Sequence, residues 1–248
     1  MTTRVMLLLG CAVVLAVIAY LLGRRKNSPD SHTSTQPGLD RDAVLSRIAP
    51  LTLPGYGLEP AAAADGRNSF LGGRPMAPEA MRWPTAGEHA QAFLGQIALA
   101  EVPRTHEVQL PTEGVLYFFY DAVTSAWGFD PEDRGTSAVV YMPEANPTNL
   151  VECPFPDDLP DEARFKRMWV KPTPELCYPD PEGLPVLAPD MPDHVTTAYY
   201  DLCMNEDIAA PANSNRLLGY PGIIQTEMRL GCALVTNGVY CGRPDGYE

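Results

Sequence analysis

Histidine is the first residue type to weigh as an acid, a base or a metal ligand. His32, His89, His106 and His194 stand too far apart to form any metal-ligand spacing. Five cysteines follow the N-terminal segment: Cys153, Cys177, Cys203, Cys232 and Cys241. They contain no CxxC pair, and an odd number cannot all pair within one chain. They read as thiols of a reducing compartment, with one or two disulfides in a periplasmic domain as the competing reading. Carboxylates are grouped twice, at Asp130, Glu132 and Asp133 and again at Asp157, Asp158, Asp161 and Glu162. Neither group has the alternating ligand spacing of a calcium loop, and in an acidic chain both read as solvated loops.

The phosphate-cradling GxxxxGK motif, the dinucleotide GxGxxG, HExxH and GxSxG are all absent from the sequence. The expectation is therefore no catalytic residue, no cofactor and no metal. Two elements could still line a groove. One is Gly72-Gly73-Arg74, a glycine pair followed by a cation. The other is Trp127-Gly128-Phe129-Asp130, where core packing is an equally good explanation.

Charge and composition narrow the partners. The chain has 248 residues, 45% of them hydrophobic, enough to bury a core. Its net charge is −13. Four of its 18 basic residues lie in the first 26, which hold no acid, so the rest carries 14 basic residues against 31 acids. A surface so acidic repels nucleic acid, which is excluded as a partner.

The elements that position these residues come next. Met6 to Leu22 carries no charge, and Val5 to Gly23 makes 19 residues, about 28 Å as a helix. Arg24, Arg25 and Lys26 follow it. The reading is a single-pass membrane helix (1–26), with the lipid bilayer as one partner through Val5–Gly23. The basic cluster puts the following domain in the cytoplasm, at a bacterial inner membrane. Residues 27–39 are polar and read as a flexible linker. Residues 40–248 then form the domain.

Within that domain, Asp40 predicts a helix cap that places Val44, Leu45 and Ile48 on one face. Pro54-Gly55-Tyr56-Gly57 predicts a turn. Val115–Tyr120 is the clearest strand, with Ala138–Met142 a second one near it in the sheet. Gln91–Ala100 is apolar and ambiguous between strand and helix. Twelve of the 26 prolines lie from Pro143 to Pro192, which predicts loop or short edge elements there, with Arg164–Val170 the one ordered segment. His194–Met204 reads as helical or extended. Leu230–Val239 reads as a final strand pair. The fold class expected is α+β: a mixed domain with Pro-rich loops behind one transmembrane helix.

Several separated motifs together resemble the YwqG-like bacterial family. They are Leu71-Gly-Gly-Arg-Pro75 with Trp83-Pro84, Phe93-Leu-Gly-Gln-Ile97, Gly114–Asp121, Trp127–Asp130, and Leu217-Leu-Gly-Tyr-Pro221 with Gln225. The resemblance spans about 40–242. It implies an α+β fold and no established reaction or ligand. It also implies more strand-forming sequence beyond Tyr240-Cys241-Gly242, so that a chain ending at Glu248 would leave a sheet edge open to a partner strand. With these motifs the candidate partner or groove residues are Gly72, Gly73, Arg74, Trp127, Phe129, Asp130, Tyr220 and Gln225.

The function this predicts is a non-catalytic, membrane-anchored interaction protein, an accessory subunit of a larger membrane complex with a membrane-protein partner. One alternative is an antitoxin-like protein that binds a basic toxin. Another is an enzyme or small-ligand binder using the groove near Trp127 and Gly72-Gly73.

Overall fold

The computed structural model describes residues 39–62, 66–105, 108–126, 131–206, 208, 214–222 and 237, all within one compact unit, Leu39–Glu248. Helix α1 (Arg41–Ile48) opens it. Asp40 accepts a hydrogen bond from the Ala43 amide at 2.7 Å, which satisfies one of the donors a helix start leaves free. Strands β1 (Leu53–Pro60), β2 (Phe70–Leu71), β3 (Met76–Ala77), β4 (Thr85–Ala86) and β5 (His89–Ala90) follow. Then come β6 (Ala92–Ala98), β7 (Val115–Tyr120), β8 (Ser137–Met142), β9 (Val151–Glu152) and β10 (Met168–Cys177). Short α2 (Leu184–Leu187), α3 (Asp193–Asn205) and β11 (Arg216–Leu218) complete the described chain.

Seven strands form one sheet in the order β11-β1-β10-β2-β6-β7-β8. Every neighbouring pair in it is antiparallel. Strand β7 shows why the sheet is the core. Val115, Tyr117 and Phe119 point into one cluster with Phe70 and Phe93, while Leu116 and Phe118 pack on a second with Tyr56, Ile97 and Val170. Alternation of side chains thus buries both faces. In the first cluster Phe93 and Phe119 lie 5.4 Å apart, and Phe70 and Trp169 meet edge to face at 5.1 Å. Each such pair adds about 1 kcal/mol beyond burial. The helices form a satellite core of Val44, Ile48, Leu184 and Tyr199.

These features correct the expected α+β class: the domain is sheet-rich with few helices. The reason lies in β1 and β10, the longest strands of the sheet: β1 contains the expected turn Pro54–Gly57, and β10 runs on from the expected ordered segment Arg164–Val170 into a stretch read as loop. Gly55 and Gly57 sit inside β1, where they let Cys177, Gly219 and Glu175 approach. In β10, the Val170 amide donates to the Ser69 carbonyl on the β2 side. Pro172 and Pro174 share its parity, so their missing donors face that same side, where β2 pairs only with Met168 and Trp169. No ladder bond is lost, and proline is tolerated inside the sheet.

The single-pass membrane helix expected from the sequence is not among the helices described. Among the described residues no helix is long and apolar enough to cross a membrane. The longest there, α3, has 13 residues, about 20 Å, and carries Asp193 and Asp201. Val5–Gly23 lies outside the described residues, as does Leu230–Val239 apart from Asn237.

Candidate functional site

Of the eight residues singled out from the sequence, four are described, and the structure places them in two regions. Gly72, Gly73 and Arg74 follow β2 at the start of β10, and Tyr220 follows β11 near the other end of β10. Trp127, Phe129, Asp130 and Gln225 lie outside the described residues.

Gly72 and Gly73 both take positive φ, 61° and 72°. Their amides are satisfied by the Leu94 and Phe165 carbonyls at 2.8 Å each. A Cβ on Gly72 would come within 2.3 Å of the Lys166 carbonyl oxygen, and one on Gly73 within 2.7 Å of the Arg167 Cβ. The pair thus does two jobs: it turns the chain where L side chains are strained, and it lets that turn lie flat on residues 165–167.

This flat contact assembles an arginine cluster. The Arg167 guanidinium sits 4.3 Å above the Phe70 ring and 5.5 Å from Trp169. It donates to the Arg74 carbonyl and, at 3.1 Å, to Glu152 Oε1. Arg74 reaches the other oxygen of Glu152 at 3.5 Å, a weak bond by its length. Arg74 and Arg164 each lie 5.5 Å from the Phe155 ring centroid. Arg164 also donates to the Leu159 carbonyl at 2.6 Å and pairs with Asp161, which is 92% exposed. The Nε atoms of Arg164 and Arg167 are buried without a hydrogen-bond partner. Lys166 is exposed beside them, and so are the apolar Leu94, Phe165 and Met168.

At the far end of β10 the arrangement is closed. Arg216 donates to Glu175 at 2.8 Å with its side chain only 13% exposed, and also to the Tyr220 carbonyl. The Tyr220 hydroxyl donates to the Leu51 carbonyl, which ties β11 to the end of α1. Cys177 lies beneath, its thiol 3.6 Å from Glu175. Burial pushes that thiol up, against the pull of Arg216. Burial likewise raises the Cys153 thiol, next to Glu152. Both thiols are thus held further toward the protonated, less nucleophilic form than a free cysteine. Among the described residues no three His, Cys, Asp or Glu side chains gather as for a metal ion.

Asp121 closes β7. Burial raises its pKa, but bonds from the Thr124 hydroxyl and the Thr124 and Val123 amides, together with His89, bring the carboxyl below its ordinary range. Its role is to cap the turn that leads toward Trp127.

Sequence reasoning found the glycine pair and Arg74 but missed Glu152, Phe155, Arg164 and Arg167. One signal for the last two was present. Arg164-Phe165-Lys166-Arg167 carries three cations in four residues, a density no other stretch after residue 26 reaches.

No curated protein matches the chain. A family model does, over residues 69–237, from the strand before the glycine pair past β11. The chain therefore belongs to the family described as a domain of unknown function, DUF1963.

Proposed function

We propose that this chain is a non-catalytic protein-interaction domain, an accessory subunit of a larger assembly, that receives a partner strand along β8. The observation carrying this reading is the edge itself. Among the described residues β8 pairs with β7 on one side and with nothing on the other. Its sequence, SAVVYM, has six residues without a charge or a proline, and Val139 is 63% exposed and Tyr141 41%. Natural edges are usually blunted by charge, proline, shortness or twist. The opposite edge, β11, is blunted: it has three residues, Arg216 holds an ion pair, and the chain leaves through Leu218 and Gly219, both at positive φ. An unblunted edge offers main-chain donors and acceptors to an incoming strand, with Val139 and Tyr141 to grip its side chains.

Hydrogen exchange on the complex recovered from the native source tests this. The β8 amides gain protection in the complex relative to the isolated chain, and Val139→Lys releases the partner without lowering the unfolding midpoint. Recovery of the protein alone, as a monomer, would refute the reading. Within the family, the ordered motifs from Leu71-Gly72-Gly73-Arg74-Pro75 to Leu217–Pro221 support placing this chain with the YwqG-like members.

A further inference from the structure

The geometry points to a second binding site, independent of β8: Arg74 and Arg164 over Phe155, with Arg167 bonded to the Arg74 carbonyl beside them, dock an acidic segment of a partner polypeptide. Three arginines and Lys166 gather here in a chain of net charge −13. The acids paired with these cations are Glu152, shared between Arg74 and Arg167, and Asp161, almost wholly in water; among the described residues Asp157, Asp158 and Glu162 make no ion pair with them. The guanidinium donors thus outnumber the carboxylate oxygens paired with them, and a partner carboxylate can take those left over.

The side chains suit that partner in shape as well. A guanidinium offers a planar fork of donors that matches a carboxylate. Arg74, half-exposed and held by one 3.5 Å bond, has most of its fork free. Arg164 keeps Asp161 through one nitrogen and can exchange it for a partner carboxylate at little loss, since an exposed ion pair contributes little. The Phe155 ring prepositions both guanidiniums, which lowers the entropy lost on binding. Leu94, Phe165 and Met168 add exposed apolar surface beside the Gly72–Gly73 turn. Arginine, aromatic and methionine side chains together are the composition of interface centres. A small free anion would find only half-hydrated charges at this surface, whereas a polypeptide uses the charges and the apolar rim at once. The site accordingly takes a segment that alternates acidic and apolar residues.

A fluorescein-labelled peptide of alternating Glu and Leu, followed by anisotropy with the full chain in 50 mM salt, is the test. The peptide binds, and raising the salt to 300 mM weakens it several-fold. Arg74→Gln with Arg164→Gln weakens it at least tenfold, while the same peptide with Lys for Glu fails to bind. Val139→Lys leaves the affinity unchanged, so this site and the β8 edge fail separately. Should the double variant unfold, charge reversal of Lys166 (Lys166→Glu) gives the same reading with a smaller loss. Equal binding of the lysine peptide, or undiminished binding by the arginine variants, overturns the proposal. So does saturation by inorganic phosphate at the same concentration as the peptide.

Discussion

At the first residues of β10, Arg74 and Arg167 share Glu152 at the surface. Eight residues on from Arg167, about 26 Å along the strand, Arg216 holds Glu175 and bonds to the Tyr220 carbonyl. Both regions pair arginine with glutamate. The first leaves cations in excess with their forks partly free. The second matches one cation to one anion, spends a further donor on a carbonyl, and packs glycines against the thiol. The lesson is that an ion pair says little by itself. Stoichiometry and burial around it decide whether it serves as a fastener or as a surface for binding.

The sharpest way to break this comparison is to put a Cβ into each region. Gly219→Ala strains a φ of 72° and sets the new carbon 2.3 Å from Cys177 Sγ, in a place with nowhere to relax. A loss of about 3 kcal/mol in urea unfolding is expected. Gly73→Ala pays the same backbone strain but meets the side chain of Arg167 at 2.7 Å, so about 2 kcal/mol is expected. Equal losses would mean that the closed end is no tighter than the open one.

Removing the cations comes next. Arg216→Ala leaves Glu175 part-buried without its partner and lowers stability by about 2 kcal/mol. Arg74→Ala, in the half-exposed pair, changes it by less than about 0.5 kcal/mol. Urea midpoints of the two variants read this difference directly.

Thiol chemistry gives a finer contrast. With maleimide at neutral pH and peptide mass mapping, Cys153, half-buried, labels before Cys177, which is buried. The reverse order would show that the closed end opens more readily than its packing implies. The smallest effect is alkaline. A thiol whose folded pKa is raised stabilises the fold fully below its unfolded value, about 8.5, and loses that contribution as pH rises through the folded value. Thermal midpoints should therefore fall above about pH 9, and less steeply in Cys177→Ala. An unchanged slope would remove Cys177 from the closed core.

Much of the local structure was readable before the fold was known. Strand β7, with its aromatic alternation, and α1, with Asp40 and its one apolar face, follow from short-range pattern alone. Strands β1 and β10 did not, because glycine and proline argue against strands wherever their neighbours are unknown. Gly55 is tolerated by what Cys177 and Gly219 do, 122 and 164 residues away, and Pro172 by the brevity of β2. The site divides in the same manner. Gly72-Gly73-Arg74 stands out as a motif, but Glu152 and Arg167 lie 78 and 93 residues from Arg74.

The amino-acid sequence alone determined the charge that repels nucleic acid, the absence of familiar catalytic motifs, and those elements whose reasons lie within one helical turn or one strand. Tertiary structure decided the sheet-rich class, the edge position of β8 among the described strands and the meeting of Arg74 and Arg164 over Phe155. Those features depend on which backbones lie side by side, and pairing across long stretches of chain leaves no periodic mark on either partner.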